Sequence, residues 1–401
     1  ARRAAWPAMG AVRKACELLS RPDEFVALSR AYALTRAAKA AAKTSDADVA
    51  FCYGMLNRVS RSFSMVIQQL SAELRLAVCV FYLVLRALDT VEDDMALSNE
   101  VKVPALKAFY KHCRDESFTM ECGEKDYREL MTKYGHVVRA FKQLDPRYQA
   151  VIEDICRRMG EGMAEYAVKE GDVQTIEEYD EYCHYVAGLV GIGLSDLFTA
   201  SELEGAEVAK RSELANSMGL FLQKTNIIRD YLEDIEEVPR PRMWWPREIW
   251  GGYVPAKGDG LEAFKLKELP GNEPEAVAAL NHMVMDALRH APDALEYMAQ
   301  LRDASVFRFC AIPQVMAAGT LALCFNNARV FRGVVKLRRG VTAKMMLAQR
   351  SLDDVCHTFL ACMADIAAKV DVKAPNAERI LEAVERVEAA CEARLAGGKG
   401  D

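Results

Sequence analysis

Two apolar segments, far apart in the chain, each run into a pair of aspartates four residues apart, and this repetition constrains the fold more than any other feature. The first reads L-V-L-R-A-L-D-T-V-E-D-D-M over Leu83–Met95, after a mostly apolar run from Leu76 to Leu85. The second reads F-L-Q-K-T-N-I-I-R-D-Y-L-E-D over Phe221–Asp234. At helical spacing Asp89 and Asp93 share one face, as do Asp230 and Asp234, and Arg86 sits one turn before the first pair. Arg229 stands beside the second pair, with Asn226 and Gln223 one and two turns upstream on nearly the same face. Buried carboxylates are costly unless paired or metal-bound. Two such helices therefore imply something cationic for the carboxylates to hold.

The 401 residues could form one large domain or two ordinary ones. Hydrophobic residues make up 51%, enough for a sizeable core and unlike a disordered chain. A net charge of −6 offers no basic field to nucleic acid. Twelve cysteines without a C-x-x-C pair or a Cys/His cluster argue against zinc and for reduced thiols in a cytosol-facing compartment. No signal-peptide pattern follows Ala1. Val306–Phe325 is nearly long enough to span a membrane, but Arg308, Pro313 and Gln314 interrupt it, and Tyr185–Ala200 is too short. Both read as buried helices that are apolar all round.

In chain order, Ala1–Lys43 predicts one or two surface helices, and Ser45 and Asp46 mark a helix start before Phe51–Val59. S-R-S-F-S at Ser60–Ser64 reads as a further start, with a phosphate-plus-apolar contact as the sharper alternative. Ser98–Leu106 reads as a connector, and Lys107–Leu144 as polar helix turning at Gly123. Pro146–Glu170 and Ile176–Ala200 read as helices, the second the most apolar. Gly188, Gly191 and Gly193 have the wrong order and no preceding strand for a dinucleotide loop. They predict instead a thinned helix that a partner or an apolar ligand approaches closely, with Tyr182 and His184 near that surface.

Pro239 and Pro241 end the second acidic helix, and Gly251–Asn272 is a loop and candidate flap. Helices resume at Glu273–Arg302, Ser305–Arg332, Thr342–Lys369 and Pro375–Leu395. Gly333–Gly340, G-V-V-K-L-R-R-G, is a basic hinge, by default a solvated turn and alternatively an anion site. No alternating strand pattern, hairpin signal or repeat occurs, so the chain reads as all-α.

Glycosidase chemistry needs two single carboxylates flanking a bond, and a di-iron bundle needs Glu-x-x-His ligands; neither pattern is here. Hard oxygen ligands completed by water suit Mg²⁺, which bridges protein carboxylates to substrate phosphates. Neighbouring arginines offer bidentate contacts to the same phosphates. The combination points to an enzyme that binds a diphosphate through Mg²⁺ and lodges a hydrocarbon in a dry pocket, where it shields a carbocation from water. Phe63, Tyr82, Tyr182 and Phe309 supply candidate ring faces for that cation.

Five long blocks, in order, closely resemble squalene synthase (farnesyl-diphosphate farnesyltransferase). They are S-R-S-F at Ser60–Phe63, F-Y-L-V-L-R-A-L-D-T-V-E-D-D-M at Phe81–Met95 and Y-C-H-Y-V-A-G-L-V-G-I-G-L at Tyr182–Leu194. Phe221–Asp234 and V-F-R-F-C-A-I-P-Q-V-M at Val306–Met316 complete the set. The resemblance implies a single large terpenoid-synthase-type all-α domain around a central cavity. It implies two half-reactions: two farnesyl diphosphates condense to presqualene diphosphate, which NADPH reduces to squalene. It makes Asp89, Glu92 and Asp93 the first Mg²⁺ cluster and Asp230 and Asp234 the second. Arg61, Arg86 and Arg229 become diphosphate contacts, and Tyr182 the residue that assists ionisation and proton removal. Ser62, Phe63, Tyr82, Val186, Val190, Leu194, Leu222, Gln223 and Asn226 become substrate contacts, and Phe309, Cys310 and Pro313 the wall of the second-reaction pocket. Lys336 and Arg338 match positions that hold NADPH phosphates.

The expected organisation is peripheral helices over 1–44, a catalytic domain over 45–370, and a C-terminal helix and tail over 371–401. Eukaryotic members of the family usually end in a hydrophobic membrane anchor, whereas this sequence ends in G-G-K-G-D. A membrane-associated, cytosol-facing location at the endoplasmic reticulum and a monomeric state follow from the resemblance alone. The nearest rival is a phytoene-synthase-type enzyme, with the same first step and no hydride transfer. A non-catalytic isoprenoid-binding protein has only bulk apolar composition in its favour.

Overall fold

The computed structural model describes residues 21–41, 43–169, 172–238, 241–242, 244–254 and 261–397, and every regular element among them is a helix. The first half comprises α1 (Pro22–Ala41), α2 (Ala47–Val59), α3 (Arg61–Ile67), α4 (Ala72–Asp93), α5 (Asn99–Ala108), α6 (Lys125–Thr132), α7 (Gly135–Lys142) and α8 (Pro146–Lys169). The middle holds α9 (Ile176–Cys183), α10 (Leu189–Ala200), α11 (Ala206–Lys210), α12 (Ser212–Arg229), α13 (Tyr231–Ile235) and α14 (Arg247–Trp250). The last part is α15 (Glu273–Leu288), α16 (Ala291–Ala299), α17 (Ala304–Cys324), α18 (Arg339–Ala348), α19 (Leu352–Ala367) and α20 (Ala377–Gly397).

The helix starts follow local chemistry. Asp46 accepts from the amides of Asp48 and Val49, and Ser60 accepts from Phe63. Thr175 and Glu178 form a capping box, as do Ser351 and Asp354, and Asp303 caps α17. Each such cap contributes about 1 kcal/mol. Burial then arranges the helices. Helix α12 is central, packing against α10, α15, α16 and α17, while α4 packs against α2, α8 and α10. Both acidic motifs thus sit at the C-terminal ends of helices held within one core. Of the two long apolar segments, α17 is buried along most of its length, whereas the segment ending at Ala200 is buried over less than half of its own.

Several elements depart from the sequence reading. Ser98–Leu106 is not a connector: α5 forms despite Pro104, because Lys102 and Leu106 are buried against α8. At that contact the Leu106 carbonyl stands only 2.2 Å from where a Cβ on Gly160 would be. Lys107–Leu144 does turn at Gly123, whose φ is +72°, but before it the chain tightens into 3₁₀ at Phe109–Arg114. Ile176–Ala200 is interrupted by a π turn, His184–Gly188. The helices expected over Glu273–Arg302, Ser305–Arg332 and Thr342–Lys369 each break or end early, the first at Arg289 and His290. The candidate flap is packed down only in part: Ala263, Phe264 and Leu266 are buried, Gly251, Gly252 and 267–271 are exposed, and 255–260 lie outside the described residues. So do 1–20, the start of the expected N-terminal helices.

Candidate active site

A cavity of about 240 Å³ opens among α3, α4, the π turn, α10, α12, α16 and α17. Helix α4 contributes Val78, Phe81, Tyr82, Leu85, Arg86 and Asp89. The π turn and α10 add Val186, Val190, Leu194 and Phe198, and α12 adds Met218, Leu222, Gln223 and Asn226. Phe63, Tyr297, Phe309, Cys310, Pro313 and Gln314 also line it. Every non-acidic substrate contact expected from the sequence therefore faces one hollow, except Arg229, which does not line it, and Arg61 and Ser62, whose side chains lie outside the described residues. The charged lining, Arg86 and Asp89, lies with Asn226 where α4 and α12 finish. From Asn226 back to Ala215 the wall runs about 16 Å at the helical rise, ending among Phe198, Tyr297 and Phe309.

The wall between α9–α10 and α12 is built backbone to backbone. A Cβ on Gly191 would sit 2.2 Å from the Ala215 carbonyl oxygen, and one on Gly219 would sit 2.3 Å from that of Ala187. Gly188 abuts Asn216, whose Oδ1 is 2.7 Å from His184 Nδ1. The glycine-rich stretch does thin the helix for close approach, as its composition suggests, and the partner approaching it is α12. His184 serves this seam.

At the mouth Arg86 lies 3.3 Å from Asp89 and over the rings of Tyr82 and Tyr127. Its Nε is buried and donates to no partner among the described residues. An unsatisfied buried donor is costly, and an anion at the mouth would satisfy it. Burial pushes the Asp89 carboxyl up to about 6, with Arg86 opposing and Asp93 adding. Burial and Asp93 push Glu92 to about 8. Asp234 is raised to about 7 by burial, with Arg242 opposing and Asp230, Glu237 and Asp93 adding. Carboxylates from the two motifs thus repel one another across the mouth. Arg229 Nε donates to Asp230 at 2.8 Å. Asp94 instead accepts from the amides of Ala96 and Gly123, shaping a turn.

Arg242 spans the two motifs, and the sequence reading missed it. Its guanidinium lies 2.9 Å from Asp93 and 3.8 Å from Glu92 and also binds Glu237, while its amide donates to the Asp234 carbonyl at 3.0 Å. The available signal was an arginine shortly after the second acidic pair, inside a segment whose prolines and tryptophans mark only a break. Trp244, from the same segment, stacks on Tyr182 with ring centroids 3.9 Å apart. Tyr182 is buried beside the acidic rim and does not line the apolar hollow. Burial, then Glu92, drive its hydroxyl pKa well up. Lys336 and Arg338 are exposed, do not line the hollow, and Arg338 pairs with Glu24 of α1 at 2.6 Å.

Among the described residues no three His, Cys, Asp or Glu side chains converge into a ready metal cage. Carboxylates divided between two walls fit cations that take one or two protein oxygens each and complete their shells with phosphate and water. Burial is the first cause of each raised carboxyl, and a bound cation there would favour the charged form that burial disfavours.

The helical shell around an apolar chamber with an acidic mouth is the terpenoid-synthase type of all-α fold. The model of the squalene/phytoene synthase family matches residues 56–341. The chain is 54% identical over 376 residues to squalene synthase 10 of Panax ginseng, covering 93% of this chain and 87% of that one. It is 56% identical over 343 residues to squalene synthase 1 of Arabidopsis thaliana, covering 85% and 81%. A solved structure of TcSQS in complex with the ligand E5700 superposes with a TM-score of 0.83 at 48% identity, covering 87% of this chain and 99% of that one. The chain belongs to the squalene/phytoene synthase family.

Proposed function

We propose that this protein is an enzyme that condenses two farnesyl diphosphates head to head to presqualene diphosphate and then reduces that intermediate with NADPH to squalene. One observation carries the reading: two distant acidic motifs meet at the mouth of an apolar chamber, in a chain more than half identical to squalene synthases. Asp89, Glu92, Asp93, Asp230 and Asp234 are the residues to hold Mg²⁺, which, when bound, makes diphosphate a better leaving group. Arg86 takes the diphosphate through its free Nε, joined by Arg61 and Arg229. The Tyr182 hydroxyl, held in neutral form by burial, donates toward the departing group and afterwards offers an oxygen for the proton that must leave. Phe63, Tyr82 and Phe309 give ring faces to the allylic cation, and the apolar wall keeps water from it. Lys336 and Arg338 are the residues to hold the NADPH phosphates. The protein works as a monomer on the cytosolic face of the endoplasmic-reticulum membrane.

Incubation with farnesyl diphosphate and Mg²⁺ yields presqualene diphosphate without NADPH and squalene with it; one product in both tubes counts against the reductive step. Asp89→Asn or Asp230→Asn lowers both products by about two to three orders of magnitude, the scale for removing one charge-stabilising group.

A further inference from the structure

Next to the mouth, on the side of α12 away from the cavity, lies a cluster of charges to which the reaction assigns nothing. Lys224 is fully buried, with Nζ 2.5 Å from a carboxylate oxygen of Asp180 on α9 and 2.5 Å from one of Asp286 on α15. Arg289 binds both carboxylates, its Nε 2.9 Å from Asp286, and the Tyr179 ring lies 4.7 Å from the ammonium. Two cations and two anions close a neutral cluster that ties three helices together. Replacing buried ion pairs by apolar side chains is often neutral or stabilising, so their presence is better explained by what they position than by stability.

The position of the cluster says what that is. Lys224 lies between Gln223 and Asn226, both at the cavity, and Asp180 is two residues before Tyr182. Just beyond Tyr182 the helix widens into the π turn His184–Gly188, where the Leu189 amide donates to the His184 carbonyl, so α9 and α10 join through a change of helical register. The next close contacts along the antiparallel α12 are Gly188 with Asn216 and Ala187 with Gly219. On the mouth side of the π turn, Lys224 ties α12 to α9 by its ion pair with Asp180 and its contact with the Tyr179 ring.

We propose that Lys224 is a positioning residue: through Asp180 it sets where Tyr182 stands relative to Asn226, Arg229 and Asp230. This rests on the reading of Tyr182 as the residue that assists the first condensation. A shift of about 1 Å in such a group costs rate rather than substrate affinity.

The test is a double-mutant cycle on the full chain, following presqualene diphosphate formation with Mg²⁺ and no NADPH. Lys224→Met is combined with Asp180→Asn, which leaves Arg289 and Asp286 as a neutral pair. This variant is expected to lose about 100-fold in kcat with KM for farnesyl diphosphate unchanged. In a Tyr182→Phe background the same two changes are expected to alter kcat by less than about twofold. Lys224→Arg keeps the charge at a different reach; it is expected to lose about tenfold in kcat, again only when Tyr182 is present. Equal losses in both backgrounds overturn the positioning role and leave the reading of Tyr182 standing. Wild-type kcat in Tyr182→Phe alone overturns that reading, and the proposal with it. A rate loss explained wholly by a smaller folded fraction, measured by thermal unfolding, also overturns it.

Discussion

Asp234 and Glu92 are carboxylates whose surroundings work against their charge. Their carboxyls are raised to about 7 and about 8, and Asp89 to about 6, in each case by burial first. A raised carboxyl binds its proton more tightly in the folded than in the unfolded chain. Its stabilising contribution is therefore complete below the unfolded pKa and disappears as pH rises through the folded one. Between about pH 4 and pH 8 the metal-free protein should lose stability from these groups as pH increases. The check is the difference in melting temperature between wild type and Asp234→Asn across that window. Wild type should fall relative to the variant as pH rises, and Mg²⁺ with inorganic diphosphate should remove the slope. A parallel response in both proteins would show that Asp234 is not held in this environment. The aspartates themselves were legible from spacing. Their encounter with Arg242 was not, because it depends on how the chain turns back after Pro241.

At the scale of elements, the seam between α9–α10 and α12 leaves no room for a side chain. Gly219→Ala would force a methyl group against the Ala187 carbonyl, 2.3 Å away. Overpacking of this kind costs about 1–3 kcal/mol. Gly252→Ala, with nothing within 4 Å, should stay within about 0.5 kcal/mol of wild type. Thermal unfolding of both variants checks the contrast; equal melting temperatures would mean the helices are not in backbone contact. The existence and class of most helices could be read from apolar periodicity. Their breaks could not. The π turn, and the ends of the long helices at Arg289 and beyond Cys324, arise from packing against neighbours that no local pattern records. Helix α5 is the reverse case: its segment read as a connector, and burial on α8 formed it nonetheless, Pro104 included. Lys224 was hidden for a similar reason, since a lysine in an apolar run gives no hint of two carboxylates from distant helices.

For the molecule as a whole, the five sequence blocks carried the fold and the family, because each lies on a helix that faces the chamber or its mouth. The basic hinge is the exception. Lys336 and Arg338 stand away from the hollow, and α1 lies on α18, bringing Asp23 to Lys344 at 2.5 Å and Glu24 to Arg338. If the hinge holds the nucleotide, Lys336→Ala with Arg338→Ala raises the NADPH concentration needed for squalene and spares presqualene diphosphate formation. Product analysis over a range of NADPH concentrations reads this directly, and equal loss of both steps would sink that division of labour. The glycine seam bears on the protein's room for change. Because α10 and α12 already touch at their main chains, the bore of the chamber cannot be narrowed by drawing them closer or altered by substitutions along their shared line. Only the inward-pointing residues Val186, Val190, Leu194, Met218 and Leu222 remain as a dial, so this side of the chamber can be re-gauged one side chain at a time while its frame stays fixed.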